Sequence, residues 1–395
     1  MEATVEYKVM KEAWKEQITP SYVFDLDKIK ERMDLANSIL KGKATVCYAM
    51  KANPFLVGAM DAYTEKYEVC SPGEYEICYR QGIEPSKIVI SGVNKTFASM
   101  ERIMELSKGE GIFTMESEEH FHILSEVCKN QGTKIKVLIR LSSGNQFGMD
   151  KECFEKVLLQ VMSDENMTLE GIHYYSGTQK KPKKVEKELA LLQEYALYIK
   201  ENYGVTLKEL EYGPGLSVNY FQGDAVLDAK EQLEELRAQL ENVTEFENIT
   251  IEMGRFLAAD CGYYMTRVMD VKHSNGVNYV IVDGGIHQLN YYGQMMGMKV
   301  PHMVCLSDNE MEEELPWTIC GSLCTVNDVI TKGAMLPNLS KGDCLVFEKC
   351  GAYSMTEGMA MFLSRELPQI MFYEKENGSS VVRELIEINI FNARR

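Results

Sequence analysis

No stretch of the 395 residues runs apolar for the roughly 18–20 residues that a membrane-crossing helix needs. No basic stripe is long enough to track a phosphate backbone, and the net charge is −17. The sequence thus argues against both a membrane span and a nucleic-acid partner, and the acidic excess reads as solubility. The opening stretch MEATVEYKVMKEAWKEQ is charged and lacks the apolar core of a signal peptide. The 11 cysteines are odd in number and form no CxxC pair, which speaks against a disulfide frame or a zinc site. The expectation is a cytoplasmic protein without a metal. There is no low-complexity tract.

With 45% hydrophobic and 26% charged residues, the chain can bury a large core, and its length suggests two or three domains. One stretch organises the rest: ATVCYAMKANP, 44–54. It opens as a strand-forming apolar run and ends in Lys51, Ala52, Asn53 and Pro54. Pro54 argues against the strand continuing, so Lys51 falls where the chain turns. An ammonium between Met50 and Ala52 either reaches out to water or is held for chemistry.

From there strand-like and helix-like segments alternate. The strand candidates are 44–52, 67–71, 87–92, 111–116, 134–141, 169–176, 207–212 and 250–252, separated by amphipathic, charge-rich segments such as 186–202 and 228–241. Eight such units predict parallel strands and fit a closed (β/α)8 barrel over 26–262; an open doubly wound sheet is the alternative. A barrel places functional residues just after its strands. Lys51, Ser71, Ser91, Arg140, 173–177, Gly213-Pro214-Gly215 and Glu252-Met253-Gly254-Arg255 all fall there. Beyond about 261, apolar runs at 279–282, 317–320, 344–347, 369–373 and 385–390 alternate with turn residues and predict a mostly β domain. This domain, 263–395, is expected to take in residues 1–25.

A glycine turn and an arginine at neighbouring strand ends form the kind of place where barrels bind phosphate. Taken alone, a Gly-Pro-Gly is usually just a turn. With a lysine across the barrel that can form a Schiff base, the combination suggests pyridoxal phosphate. Glu252 is then the natural carboxylate for the pyridine nitrogen, although a rim glutamate is as often a salt-bridge partner.

At this point YAMKANP (48–54), EVCSPGE (68–74), GIHYYSGTQ (171–179), YGPG (212–215), EMGR (252–255), CGSLCTVND (320–328) and GDCLVFEKCGAY (342–353) can be read together. In this combination and order the chain resembles the fold-type III pyridoxal-phosphate decarboxylases, which include diaminopimelate, ornithine and arginine decarboxylases; alanine racemase is a more distant relative. The resemblance implies a barrel plus a β domain built from both chain ends, a homodimer with shared active sites, and pyridoxal 5′-phosphate as cofactor. It implies that Lys51 carries the cofactor in Schiff-base linkage and that Glu252 meets the pyridine nitrogen. Thr178, Gly213, Gly215, Arg255 and Tyr353 would serve the phosphate, with Glu68, Arg140, Tyr175 and Gly254 also beside the cofactor. Cys324 would come from the partner subunit as proton donor. His173, Asp283, Thr325 and Asp328 are candidates for the substrate side.

Four departures from the family pattern stand out. Tyr175 occupies the place of a stacking histidine; an aromatic face can stack, but it cannot become imidazolium. Pro214 replaces the middle glycine of a GGG loop and removes one N–H donor. EPGR is EMGR. Thr325 follows the cysteine where ornithine and diaminopimelate enzymes carry an acidic residue, and DGGIHQLNYYGQMMGMK (283–299) lacks the arginine that diaminopimelate enzymes place after the turn. A charged distal group would be left without partners, which costs several kcal/mol. The motif detail is similar to the branch that decarboxylates a glutamyl group tethered to an acyl-carrier protein. The methionines and tyrosines of 291–298 would line a wider pocket or fill core. Other readings are an alanine-racemase-like enzyme and a non-catalytic pyridoxal-phosphate-binding homologue.

Overall fold

The structure is a computed structural model that describes residues 14–291, 297–308 and 314–393. Of the expected pocket run 291–298, residues 292–296 lie outside the described residues. By internal contacts the chain divides into two units. One comprises 30–218 and 227–257; the other combines the described residues of 1–29, 219–226 and 258–395.

The first unit is a closed barrel of eight parallel strands: β2 (Thr45–Ala49), β3 (Lys66–Val69), β4 (Ile88–Ile90), β5 (Ile112–Met115), β6 (Ile135–Arg140), β7 (Met167–Tyr175), β8 (Glu209–Gly213) and β9 (Asn248–Met253). β9 closes on β2 with Cys47 opposite Glu252. The chain reaches β2 through the helix Leu26–Leu40 (α1). Further helices are α2 (Pro72–Arg80), α3 (Phe97–Ser107), α4 (Glu118–Gln131), α5 (Lys151–Ser163), α6 (Pro182–Tyr203) and α7 (Ala229–Glu241).

Local sequence explains where helices start. Ser71, Thr96, Ser117, Asp150 and Asp228 each accept a hydrogen bond from the backbone N–H three residues on, which satisfies one of the orphan donors of a first turn. The exception is the link from β2 to β3. There three short 3-10 turns, Met50–Ala52, Pro54–Leu56 and Gly58–Tyr63, replace a helix. Pro54 lacks an N–H and Gly58 weakens a helix, so the chain takes tight turns instead.

The barrel interior is polar to an unusual degree. Lys66 Nζ of β3 lies 2.9 Å from Glu209 Oε1 of β8 and 2.7 Å from Thr250 Oγ1 of β9. β3 is not a neighbour of either strand, so these bonds span the interior. Two residues further up β8 and β9 stand Glu211 and Glu252, both buried.

The second unit is a nine-stranded sheet. Its centre is β1 (Ser21–Asp25), antiparallel to β10 (Gly262–Ser274) and parallel to β16 (Gln369–Glu374). The described part of the leading segment therefore pairs into the C-terminal sheet, as the sequence predicts. The other strands are β11 (Val277–Val282), β12 (Met303–Leu306), β13 (Leu315–Cys320), β14 (Val329–Leu336), β15 (Cys344–Phe347) and β17 (Gly378–Arg383). Trp14, Val23, Met265, Val346 and Met371 pack in one cluster of its core.

One expected strand is corrected. The run 385–390 makes a single bridge, Ile386 with Leu367, and then turns into the short helix Asn389–Asn392. Residues 386–390 alternate apolar and polar as a strand would, so here the tertiary surroundings and not the local pattern decide the outcome. No helix among the described residues is long and apolar enough to cross a membrane.

A candidate active site at the barrel rim

Lys51 sits in the first 3-10 turn after β2, with Met50 and Ala52 buried on either side. Asn53 locks the next turn by accepting the Phe55 N–H at 3.1 Å, and the Tyr48 hydroxyl donates to the Asn53 carbonyl at 3.0 Å. The lysine is thereby aimed rather than loose. Its Nζ is 2.7 Å from Glu68 Oε2 and 3.4 Å from Cys70 Sγ. Cys70 Sγ in turn donates to Glu68 Oε1 at 3.0 Å, and its backbone N–H to Glu74 Oε2 at 2.6 Å. Burial and the Glu68 carboxylate push the Cys70 thiol well up, so it stays protonated. Cys70 and Glu74 are additions that the motif EVCSPGE contains but sequence reasoning did not single out.

Across the rim, His173 Nε2 lies 3.3 Å from Glu252 Oε1, close enough to attract but not aligned for a hydrogen bond. Glu211 is fully buried on the neighbouring strand, and neither of its oxygens finds a donor among the described residues. Two carboxyl groups so placed cannot both ionise. Burial, then Glu252, raises Glu211 well above the ordinary carboxylate range. Burial would raise Glu252 as well, but His173, the Glu211 carboxyl and Lys51 outweigh it and hold Glu252 ionised. Sequence reasoning missed Glu211, whose position two residues before the glycine turn was the available signal.

The turn after β8 is a cradle. Gly215 has φ +61°, and a Cβ there would collide with the Gly177 carbonyl oxygen and come within 3.0 Å of Thr178 Cα. Gly213 lies against the Tyr175 ring in the same sense. Burial raises the Tyr175 hydroxyl, while Lys51 and Arg255 pull it the other way. Gly254 approaches β2 closely: a Cβ there would lie 2.9 Å from the Ala49 carbonyl. Lys51, Glu68, His173, Tyr175, Thr178, Gly213, Gly215, Glu252, Gly254 and Arg255 thus all belong to the barrel's carboxyl rim.

Arg140 is at this rim too, but its Nη1 is 2.8 Å from Glu116 Oε1 and its guanidinium is 5.0 Å from the Phe147 ring centroid. Beside it, Lys95 Nζ donates to the Ser91 and Gly92 carbonyls at 2.8 and 2.7 Å, and burial lowers its pKa to about 8.

The remaining sequence candidates lie in the second unit. Cys324 is exposed in the loop between β13 and β14, with Thr325 next to it. Asp328 anchors that loop: its oxygens accept from the Leu323 N–H at 2.7 Å and the Ile286 N–H at 2.9 Å. Asp283 accepts from the Thr19 and Thr266 hydroxyls at 2.6 and 2.7 Å and from the Arg267 N–H at 2.9 Å. Both carboxylates thus accept hydrogen bonds that hold these loops in place. Tyr353 has φ +65°, a conformation that a tyrosine holds only where its surroundings impose it.

The rim fits pyridoxal phosphate. A lysine with an adjacent carboxylate, an ionised buried glutamate and a glycine turn are the kinds of group that an aldehyde, a ring nitrogen and a phosphate call for. Residues 26–259 match the family model described as "Pyridoxal-dependent decarboxylase, pyridoxal binding domain". The L-glutamyl-[BtrI acyl-carrier protein] decarboxylase of Niallia circulans is 27% identical, over 91% of this chain and 90% of its own. The diaminopimelate decarboxylase of Campylobacter jejuni is 26% identical, over 89% of each chain. The crystal structure of the diaminopimelate decarboxylase from M. jannaschii shares the fold, with a TM-score of 0.87 at 22% identity over 98% of this chain and 94% of that one. The chain belongs to the pyridoxal-dependent decarboxylases, carboxy-lyases that act on amino acids with pyridoxal 5′-phosphate as cofactor.

Proposed function

We propose that this chain decarboxylates an amino-acyl group whose distal end carries no charge, such as a glutamyl group joined to an acyl-carrier protein. The observation that carries the substrate reading is Thr325 beside Cys324, where an acidic residue would be needed to hold a distal ammonium. The missing arginine after 283–285 and the activity for which the Niallia circulans relative is named support it.

In this reading Lys51 holds the cofactor covalently, and Glu68 at 2.7 Å keeps its ammonium in place until the cofactor is bound. Glu252 would meet the ring nitrogen and hold a proton there; the cofactor, when bound, would supply the electron sink for the decarboxylation. Tyr175 would stack on one face of the ring. Thr178, the Gly213–Gly215 turn, Gly254, Arg255 and Tyr353 hold the phosphate. Cys324, on its exposed loop, returns a proton to the substrate carbon across a homodimer interface. The dimer and the cytoplasmic setting are parts of the same proposal.

The test is carbon-dioxide release from a panel of free amino acids and the corresponding carrier-bound aminoacyl thioesters. Faster release from the carrier-bound glutamyl group than from diaminopimelate, ornithine or lysine is the expected result. Preference for any of those dications would contradict the substrate reading. Cys324→Ala should retain cofactor and lose turnover by roughly 10²-fold or more, as removal of a general acid does; unchanged turnover would remove Cys324 from the mechanism.

A further inference from the structure

Pro214 leaves the phosphate turn one N–H short, and the chain answers this from behind the turn. Lys180 is almost fully buried and touches the turn twice. Its backbone N–H donates to the Gly215 carbonyl at 2.9 Å, and its Nζ donates to the Gly213 carbonyl at 2.7 Å. The other Nζ bonds go to Glu188 Oε2 at 2.8 Å, Ser176 Oγ at 3.3 Å and the Tyr212 hydroxyl at 3.5 Å. Glu188 is itself buried on α6, takes the Tyr212 hydroxyl at 2.7 Å and bonds Ser176 Oγ. The ammonium's three N–H groups are thus spent within the protein, so it is not a direct ligand of a phosphate.

What it does is orient peptide planes. In a trans peptide the C=O and N–H point in opposite directions. Holding the Gly215 carbonyl toward Lys180 therefore aims the Leu216 N–H away from it. The Gly213–Pro214 plane has no N–H at all, so its carbonyl is the only polar group there. Turned toward an anion, that carbonyl would repel it; Lys180 Nζ holds it back. A Cβ at Gly215 would lie 2.9 Å from Lys180 Cε, which shows how closely the lysine stem backs the turn. The charge also sits 5.7 Å from the Tyr175 ring centroid.

We propose that Lys180, braced by Glu188, is a positioning residue for the phosphate turn and replaces by orientation the donor that Pro214 removes. This rests on the reading of Gly213-Pro214-Gly215 as the phosphate site.

The experiment is titration of the apoprotein with pyridoxal phosphate and, separately, with pyridoxal, followed by 31P NMR of the phosphate-bearing complex. The variant is Lys180→Met/Glu188→Gln, which removes both buried charges together and so leaves neither unpaired. It should bind pyridoxal phosphate about 10-fold or more weakly, bind pyridoxal as the parent does, and shift the 31P resonance. Adding Pro214→Gly to it should recover part of the affinity. Should the double variant not fold, Glu188→Gln alone, which keeps shape and hydrogen bonds, should show the same selective loss at smaller size. Equal affinity with an unmoved resonance overturns the proposal. An equal loss for both ligands also overturns it, because that is a general structural effect. If the parent protein takes up neither ligand, the cofactor-site reading beneath it fails instead.

Discussion

Lys51 and Glu252 stand out as single letters because the proposed chemistry calls for those residue types at strand ends: an amine that can condense with an aldehyde, and a carboxylate for a ring nitrogen. Glu211, Cys70, Lys180 and Glu188 were not, since their meaning arises only across the barrel. Glu211 reads as one polar position in a strand until the fold places its buried carboxyl within the influence of Glu252, with no donor among the described residues. At this scale the account predicts that Glu252→Gln keeps the fold and the bound cofactor but lowers the decarboxylation rate about 10²–10³-fold, the size expected when one charge-stabilising group is lost. Steady-state carbon-dioxide release beside a thermal melt checks it. A rate within threefold of the parent would remove Glu252 from its role at the ring nitrogen.

At the scale of elements, the alternation of strands and amphipathic segments revealed the barrel because parallel strands need crossovers, and caps such as Ser71 and Asp228 mark where those crossovers begin. The link after β2 was less legible. Its helical length gave way to 3-10 turns around Pro54 and Gly58, and that is what brings Lys51 to the rim. β10 escaped notice because its outer half, 267–274, is polar and mostly exposed; tertiary pairing, not composition, makes it a strand. The turn after β8 carries the prediction here. Gly215→Ala forces a side chain into a left-handed backbone position against the Gly177 carbonyl. It should cost about 1–3 kcal/mol locally and weaken pyridoxal phosphate more than it lowers the global melting temperature. Calorimetric titration alongside a melt separates the two effects, and unchanged affinity would mean that the turn does not carry the phosphate.

For the molecule as a whole, the two units carry separate acid sensors. His120 in the barrel and His287 in the sheet are buried, and burial lowers each to about 4. A histidine whose folded pKa lies below its unfolded value binds fewer protons when folded. Its contribution to stability is intact above about pH 6.5 and is lost as pH falls toward 4, at roughly 3 kcal/mol per residue. Urea titrations between pH 7 and 4 should show this decline, and His287→Gln should flatten it for the sheet unit; a pH-independent midpoint would contradict the burial argument. The division into a barrel and a mostly β unit was visible in the change of texture near 261.

The central claim is that Lys51 holds pyridoxal phosphate. It is tested most directly by borohydride reduction of the purified protein, with visible spectra before and after and mass spectrometry of the peptide around residue 51. The account predicts loss of the cofactor's visible band and a phosphopyridoxyl adduct on Lys51, absent from Lys51→Ala. An adduct on another lysine, or a bound spectrum that persists unchanged in Lys51→Ala, would contradict it.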